Sequence, residues 1–236
     1  PHGEPKWVTI SAGEFWMGSE QGGSDERPLH RVPVAEFQMA VTPVTNGQYW
    51  IYAAATGTSS PTHWDGDLPP KGKENHPVVA VSWHDAVRYC EWLSKVTGKA
   101  IRLPTEAEWE KAARGEQDKR HYPWGDEFDP ARCNTDESKI GGTTPVGIYP
   151  QGASPYGCLD MAGNVWEWCQ SKYQSYPYEL DDGRNDPGGD DRRVVRGGAW
   201  RLDSYGARCA FRSHGHPDSR LDSRGFRVVV SPGSRS

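Results

Sequence analysis

Asp160 and Glu167 bracket a short stretch, Met161-Ala162-Gly163-Asn164-Val165-Trp166, with a glycine near its middle. Two carboxylates beside a tight turn, with backbone carbonyls converging on them, suit a hard cation such as Ca²⁺. The same two acids could instead cap turns and pair with arginine. Arginine is plentiful nearby: nine lie between Arg192 and Arg227, with no lysine among them. That run reads as a set of structural guanidinium contacts or as an anion site. The five cysteines, Cys90, Cys133, Cys158, Cys169 and Cys209, are odd in number and show no Cys-x-x-Cys spacing, which argues against a zinc framework. They read as buried free thiols and favour a reducing compartment, the cytoplasm, with one disulfide left open. His214 and His216 could share a metal, although a His-x-His in a polar loop more often faces solvent.

The elements that must position these groups are short and joined by many turns. The chain has 236 residues, enough for a sizeable core. Only 35% are hydrophobic, but Trp 11 and Tyr 10 are high counts, and such side chains bury large areas while keeping a polar handle. That aromatic content excludes a disordered chain. Gly 27 and Pro 19 imply much irregular backbone. A net charge of −5 argues against a general nucleic-acid binder. No apolar run reaches the length of a membrane span, and Pro1-His2-Gly3-Glu4 does not read as a signal peptide.

Alternation over residues 7–18 predicts a hairpin, and residues 32–42 a further extended segment in which Pro33 marks an edge. Thr45 caps a helix over Asn46–Ala55, with an apolar stripe of Tyr49, Tyr52 and Ala53 and a stop at Gly57. Ser82 with Asp85 makes a capping box for a second helix carrying Ala86, Tyr89, Cys90 and Leu93, closed by Gly98. Ile101-Arg102-Leu103 reads as a short strand. Thr105 with Glu108 opens a third helix over Glu106–Arg114. Residues 115–193 read as loops and short strands. Arg193–Arg196 and Phe226–Val230 read as strands, the latter central because it is largely apolar. With no repeat and no long linker, one α+β domain over 1–236 is expected.

Seven short strings recur in a telling order. They are Pro43-Val44-Thr45-Asn46; Pro77-Val78 with Val81-Ser82-Trp83; Arg102-Leu103-Pro104-Thr105-Glu106-Ala107-Glu108-Trp109-Glu110; Tyr122-Pro123-Trp124-Gly125; Asp160-Met161-Ala162-Gly163-Asn164-Val165-Trp166-Glu167-Trp168; Arg196-Gly197-Gly198-Ala199-Trp200; and Gly225-Phe226-Arg227. From about residue 7 to residue 230 the chain resembles the sulfatase-modifying-factor family, whose best-known member is formylglycine-generating enzyme. The resemblance implies a C-type lectin fold: a small twisted sheet, flanking helices and long ordered loops. It also implies structural Ca²⁺, held by side-chain oxygens of Asp160 and Glu167 and carbonyls of Gly163 and Val165. The family has Asn where this chain has Asp160. A second implied site maps to Asn134 and Thr135, where the following loop is shorter here.

The enzyme's two copper-binding cysteines, five positions apart, have no counterpart. The matching positions are Leu202 and Ala207, and neither can bind the soft Cu(I) ion. Only Cys209 lies nearby, in a stretch that reads as packed core. The iron-dependent sulfoxide synthases of the family need three histidines, mostly from a preceding helical domain, and this chain shows neither that domain nor a His-x-x-x-His. An enzymatic role is therefore not expected.

Residues 201–224 have a peculiar composition. From Arg201 to the end there is no Lys, Glu, Gln, Met or Trp, although earlier parts contain all five. Those types make up roughly a fifth of ordinary usage, so chance is a poor explanation. Adenine-directed mutagenesis of Asn codons cannot yield any of the five while the third base stays a pyrimidine. The interval also resembles the variable segment of diversity-generating-retroelement proteins, which lies between a Gly-Gly-x-Trp string and a final Gly-Phe-Arg. The mix of Tyr, Ser, Gly, His and Asp is that of a paratope. The expected ligand surface is Arg201, Leu202, Asp203, Ser204, Tyr205, Gly206, Phe211, Ser213, His214, Gly215, His216, Ser219, Leu221, Asp222 and Ser223, with Arg208, Arg212, Arg220 and Arg224 tying it to the scaffold. The expected partner is a protein. A formylglycine-generating or related oxidative enzyme and a fixed regulatory domain of a larger protein are the alternatives.

Overall fold

The computed structural model describes residues 3–231, so Pro1 and His2 of the expected N-terminal reading lie outside the described residues. In chain order the elements are β1 (Trp7–Ile10), β2 (Gly13–Met17), β3 (His30–Val34), β4 (Phe37–Ala40), α1 (Asn46–Thr56), α2 (Trp83–Thr97), β5 (Ile101–Arg102), α3 (Glu106–Arg114), β6 (Trp166–Lys172), β7 (Arg193–Arg196), β8 (Arg212–Gly215), β9 (Arg224–Gly225) and β10 (Val229–Val230). The fold is α+β, with the short strands and long ordered loops of a C-type lectin-like architecture.

All three helices start where local chemistry says they should. Thr45, Ser82 and Thr105 each accept a hydrogen bond from the backbone N–H three residues on, and Gln48, Asp85 and Glu108 reach back to close the box. The reciprocal bonds satisfy donors that a helix N-terminus otherwise leaves unpaired. Gly57 and Gly98 end α1 and α2 in the left-handed conformation, at φ 70° and 71°, which glycine adopts without a Cβ penalty. The predicted stripe of α1 and that of α2 meet: Tyr49, Tyr52 and Tyr89 pack against Trp64, Trp92 and Phe226.

The strands pair differently from the expected hairpin over 7–18. β1 pairs with β4, and β2 pairs with β3. Residues 11–12 lead the chain out of one sheet and into another. β2 and β3 form a sheet of two, so Pro33 does sit in an edge strand, where its missing N–H costs little. The order β1-β4-β10-β5 makes β10 central, but only Val229–Val230 of the expected Phe226–Val230 strand pairs there; Arg224–Gly225 joins the other sheet instead. That sheet runs β8-β7-β6-β9. Its longest member, β6, lies within 115–193, read as loops and short strands, and β8 lies within 201–224, where no strand was expected.

Helix α3 carries Glu106, Glu108, Glu110, Lys111 and Arg114, yet every one of its nine residues is buried. Its charges are matched one by one. Glu106 takes two bonds from Arg212, at 2.7 and 2.8 Å, and a third from the Tyr176 hydroxyl at 3.2 Å. Glu110 pairs with Arg196 and with Arg114. Glu108 receives both arms of Arg102, at 2.6 and 2.7 Å. Removing one member strands the other as an uncompensated buried charge, which typically costs about 3–5 kcal/mol. Glu106→Ala is therefore expected to lower the unfolding free energy by about that amount in urea titrations. A loss below about 1 kcal/mol, the range of an exposed ion pair, would contradict this role.

Candidate functional site

The segment from Arg201 to Arg224 leaves and re-enters the scaffold at defined points. Leu202 carbonyl accepts the Asp136 N–H at 2.8 Å, and Ser204 N–H donates to the Glu137 carboxylate at 2.7 Å. At the far end, Leu221 carbonyl accepts from Ala80, and Ser223 carbonyl accepts from Trp166. Arg201 and Asp222 form an ion pair that brings the two ends together. Between these points Arg208 and Arg212 turn inward, and Arg220 lies against the surface. Arg208 grips Glu26 with two bonds, at 2.9 and 2.7 Å, across 182 residues of sequence. Arg212 grips Glu106, and Arg220 reaches Asp85 at 2.9 Å. The tying role expected of these three is what their geometry provides.

The expected surface residues divide. Arg201, Asp203, Tyr205, His216, Leu221 and Asp222 are exposed, and Leu202, Ser204, Phe211, Ser213, His214, Gly215 and Ser219 are half-buried. Tyr205 and Phe211 pack edge to face at 5.4 Å, over the Arg208 guanidinium. Gly206 and Ser223 are buried and offer no side chain to a ligand. Gly206 carbonyl lies close under Gly198, where a Cβ would approach it to 2.6 Å. Nor do all the candidates share a face. Successive residues of a strand point to opposite sides, so His214 of β8 is separated from Ser213 and Gly215. Its ring packs on Tyr173 at 4.3 Å and meets Arg192 at 3.3 Å. Burial and the nearby Arg192, Arg212 and Arg224 push its pKa down. Tyr173, Arg192, Glu137 and Trp200, against which Arg201 stacks at 4.6 Å, are fixed neighbours of the segment. Sequence reasoning missed them, because each lies outside the interval that composition marks.

The calcium-ligand set implied around Asp160 does not fit as a whole. Glu167 is fully buried, and its carboxylate takes three bonds: two from Arg227, at 2.6 and 2.7 Å, and one from the Trp109 indole at 2.7 Å. Arg227 thus already supplies the positive charge that Glu167 faces. Asp160 accepts the Gly147 N–H at 2.7 Å, and burial pushes its pKa up to about 6. At the second location, Ser138 Oγ lies 3.0 Å from Asn134 Oδ1 and donates to the Thr135 carbonyl at 2.7 Å. Gly163 is required here for space as well as conformation: at φ 75°, a Cβ would come within 2.2 Å of the Asn134 carbonyl. Among the described residues no three His, Cys, Asp or Glu side chains cluster as a metal site; His214 packs on Tyr173, and His216 lies 3.7 Å from Asp218.

At the positions matching the family's copper cysteines, Leu202 is half-buried and Ala207 buried. Cys209 is wholly buried, and burial pushes its thiol up to about 12. All five cysteines are buried and free.

With that geometry in view, relatives can be placed. Residues 2–232 match the family described as sulfatase-modifying factor enzyme 1-like domain. A serine/threonine-protein kinase pkn1 of Chlamydia caviae is 36% identical over 94% of this chain, which spans only 37% of that protein's length. A formylglycine-generating enzyme of Streptomyces coelicolor is 35% identical over 94% of the chain and 88% of its own length. An inactive C-alpha-formylglycine-generating enzyme 2 of Mus musculus is 34% identical over 98% of the chain and 87% of its own. Among solved structures, PvdO from Pseudomonas aeruginosa superposes with a TM-score of 0.81 at 30% identity, over 98% of this chain and 95% of that one. Treponema denticola variable protein 1 superposes at 0.80 and 24% identity, over 96% and 95%, and shares the fold. The chain belongs to the sulfatase-modifying factor enzyme 1-like family.

Proposed function

We propose that this chain is a non-catalytic ligand-binding protein that presents a variable C-terminal surface on a C-type lectin scaffold, the variable protein of a diversity-generating retroelement, with a protein as its ligand. One observation carries the reading. Within 201–224, Arg208 and Arg212 are buried and paired with the scaffold acids Glu26 and Glu106, whereas Arg201, Asp203, Tyr205, His216, Leu221 and Asp222 face solvent. A segment built this way can change its outer residues while keeping its anchors. Tyr205 is 47% exposed and backed by Phe211 and Arg208, the arrangement of a rigid aromatic anchor. Gly206, Gly215 and Ser223 leave the proposed contact set, since packing fixes them.

The proposal is tested by sequencing codons 201–224 and their flanking DNA across a population of the source organism. Substitutions confined to Asn-derived codons, beside a near-copy template and a reverse transcriptase, are expected. A constant segment without a template would refute variability. It would favour the second reading, a fixed regulatory domain, which the partial coverage of the longer Chlamydia kinases supports.

The oxidative-enzyme alternative needs a reactive thiol. The thiolate is the reactive form, and a thiol at about 12 is protonated at neutral pH. Alkylation of Cys209 by iodoacetamide in the native protein is expected to be at least about a hundredfold slower than in the unfolded chain. Rapid native alkylation, or copper retained through purification, would revive that alternative.

Calcium is expected to contribute little, because Glu167 is already spent on Arg227 and Trp109. A cation at a hundred times its Kd would stabilise by about 2.7 kcal/mol, or about 5–10 °C in a protein of this size. The midpoint in millimolar Ca²⁺ is expected to lie within about 2 °C of that in EGTA. A rise of the larger size would overturn this reading of Glu167.

A further inference from the structure

Arg224 is the odd member of the arginine run. It is 6% exposed, and its Nε and Nη1 are buried without a hydrogen-bond partner. Among the described residues of the run, each of the other eight arginines has a carboxylate, a carbonyl or, for Arg192, the His214 ring as a partner. Arg224 instead sits over Trp168, 4.5 Å from the ring centre. Burial pulls its pKa down to about 10, with no acid opposing it. A buried charge with no counter-charge is costly and rarely kept without a use.

Its surroundings point to that use. Trp168 stands opposite Val195, and Val195 opposite Ser213, so Trp168 and Ser213 share one face of the sheet with Gly215, two residues along. The side chain of Arg224 crosses this face from β9 to β8 and ends under Gly215. A Cβ at 215 would come within 2.2 Å of Nη1 and 2.9 Å of Trp168. Only glycine at 215 lets the guanidinium lie there, and Ser213 and Gly215 are half-exposed above it.

We propose that Arg224 is the fixed anchor of the ligand surface for an acidic group: a carboxylate carried by the protein ligand, which reaches the guanidinium beside Ser213 and Gly215. The planar fork of arginine suits a carboxylate, and the Trp168 ring holds it in place beforehand. This rests on the ligand-binding reading above, with Arg224 and Gly215 as constant positions inside a changing surface.

The test uses the full chain, with acetate, inorganic phosphate and chloride compared at matched ionic strength. Acetate is expected to move the Arg224 Nε–Hε resonance saturably and to raise the thermal midpoint over chloride. Arg224→Met, which keeps an apolar side chain against Trp168, is expected to abolish the acetate effect and to be at least as stable as the parent. Arg224→Lys should retain a weaker acetate response. A destabilised Arg224→Met with no acetate response in the parent would show a purely structural arginine and overturn the proposal. A saturable response to phosphate but not acetate would overturn the carboxylate assignment. Failure here alongside a segment that varies in the population would sink the anchor and leave the display reading intact. A constant segment with a saturable acetate response would do the reverse.

Discussion

The fold turns on a set of guanidinium–carboxylate pairs with no access to water. Helix α3 brings Glu106 and Glu110 to the middle of the molecule, and the C-terminal third answers with Arg196 and Arg212. Glu167 on β6 is answered by Arg227 in the same way. Each partner alone would be a severe liability in a low-dielectric interior. Together, with Trp109 and Tyr176 completing the hydrogen bonds, they define how elements far apart in sequence must meet. Arginine suits this better than lysine, because its planar fork engages both carboxylate oxygens at once. A core organised by directional pairs can hold long irregular loops that apolar packing alone would leave loose.

This explains how the proposed binding surface could sit on such a segment. Residues 201–224 contain little regular structure, yet they are tied at Glu26, Asp85, Glu106, Glu137 and Asp136. The ties use backbone atoms, the buried Arg208 and Arg212, and the partly exposed Arg220. The outward side chains carry little of the packing, so their identity is free to serve recognition. Gly206, Gly215 and Ser223 show the limit of that freedom, because backbone or guanidinium groups occupy the space beside them.

Local chemistry was the legible part of the sequence. One N-cap, two capping boxes and two terminating glycines placed the three α-helices, because the groups concerned lie within a turn of each other. Strand partners were not legible. Alternation over residues 7–18 suggested a hairpin, but alternation says nothing about which distant strand completes each sheet. Strand β6 escaped notice because both its faces are covered: Trp166, Glu167, Trp168 and Cys169 are all buried, so the alternation of a half-exposed strand is missing. Glu167 looked like a cation ligand for a related reason. Its true partner, Arg227, is 60 residues away, and only the fold brings them to 2.6 Å.

The central claim is that scaffold and surface are energetically separate, with the fold held by buried arginine pairs and the outer residues of 201–222 left free. A library randomising Arg201, Asp203, Tyr205, His216, Leu221 and Asp222 together, selected by resistance to protease, tests it directly. Exposed substitutions usually change stability by less than about 0.5 kcal/mol each, so most members should remain folded and protease-resistant. If most are cleaved like the unfolded chain, the surface is part of what holds the fold, and the separation does not exist.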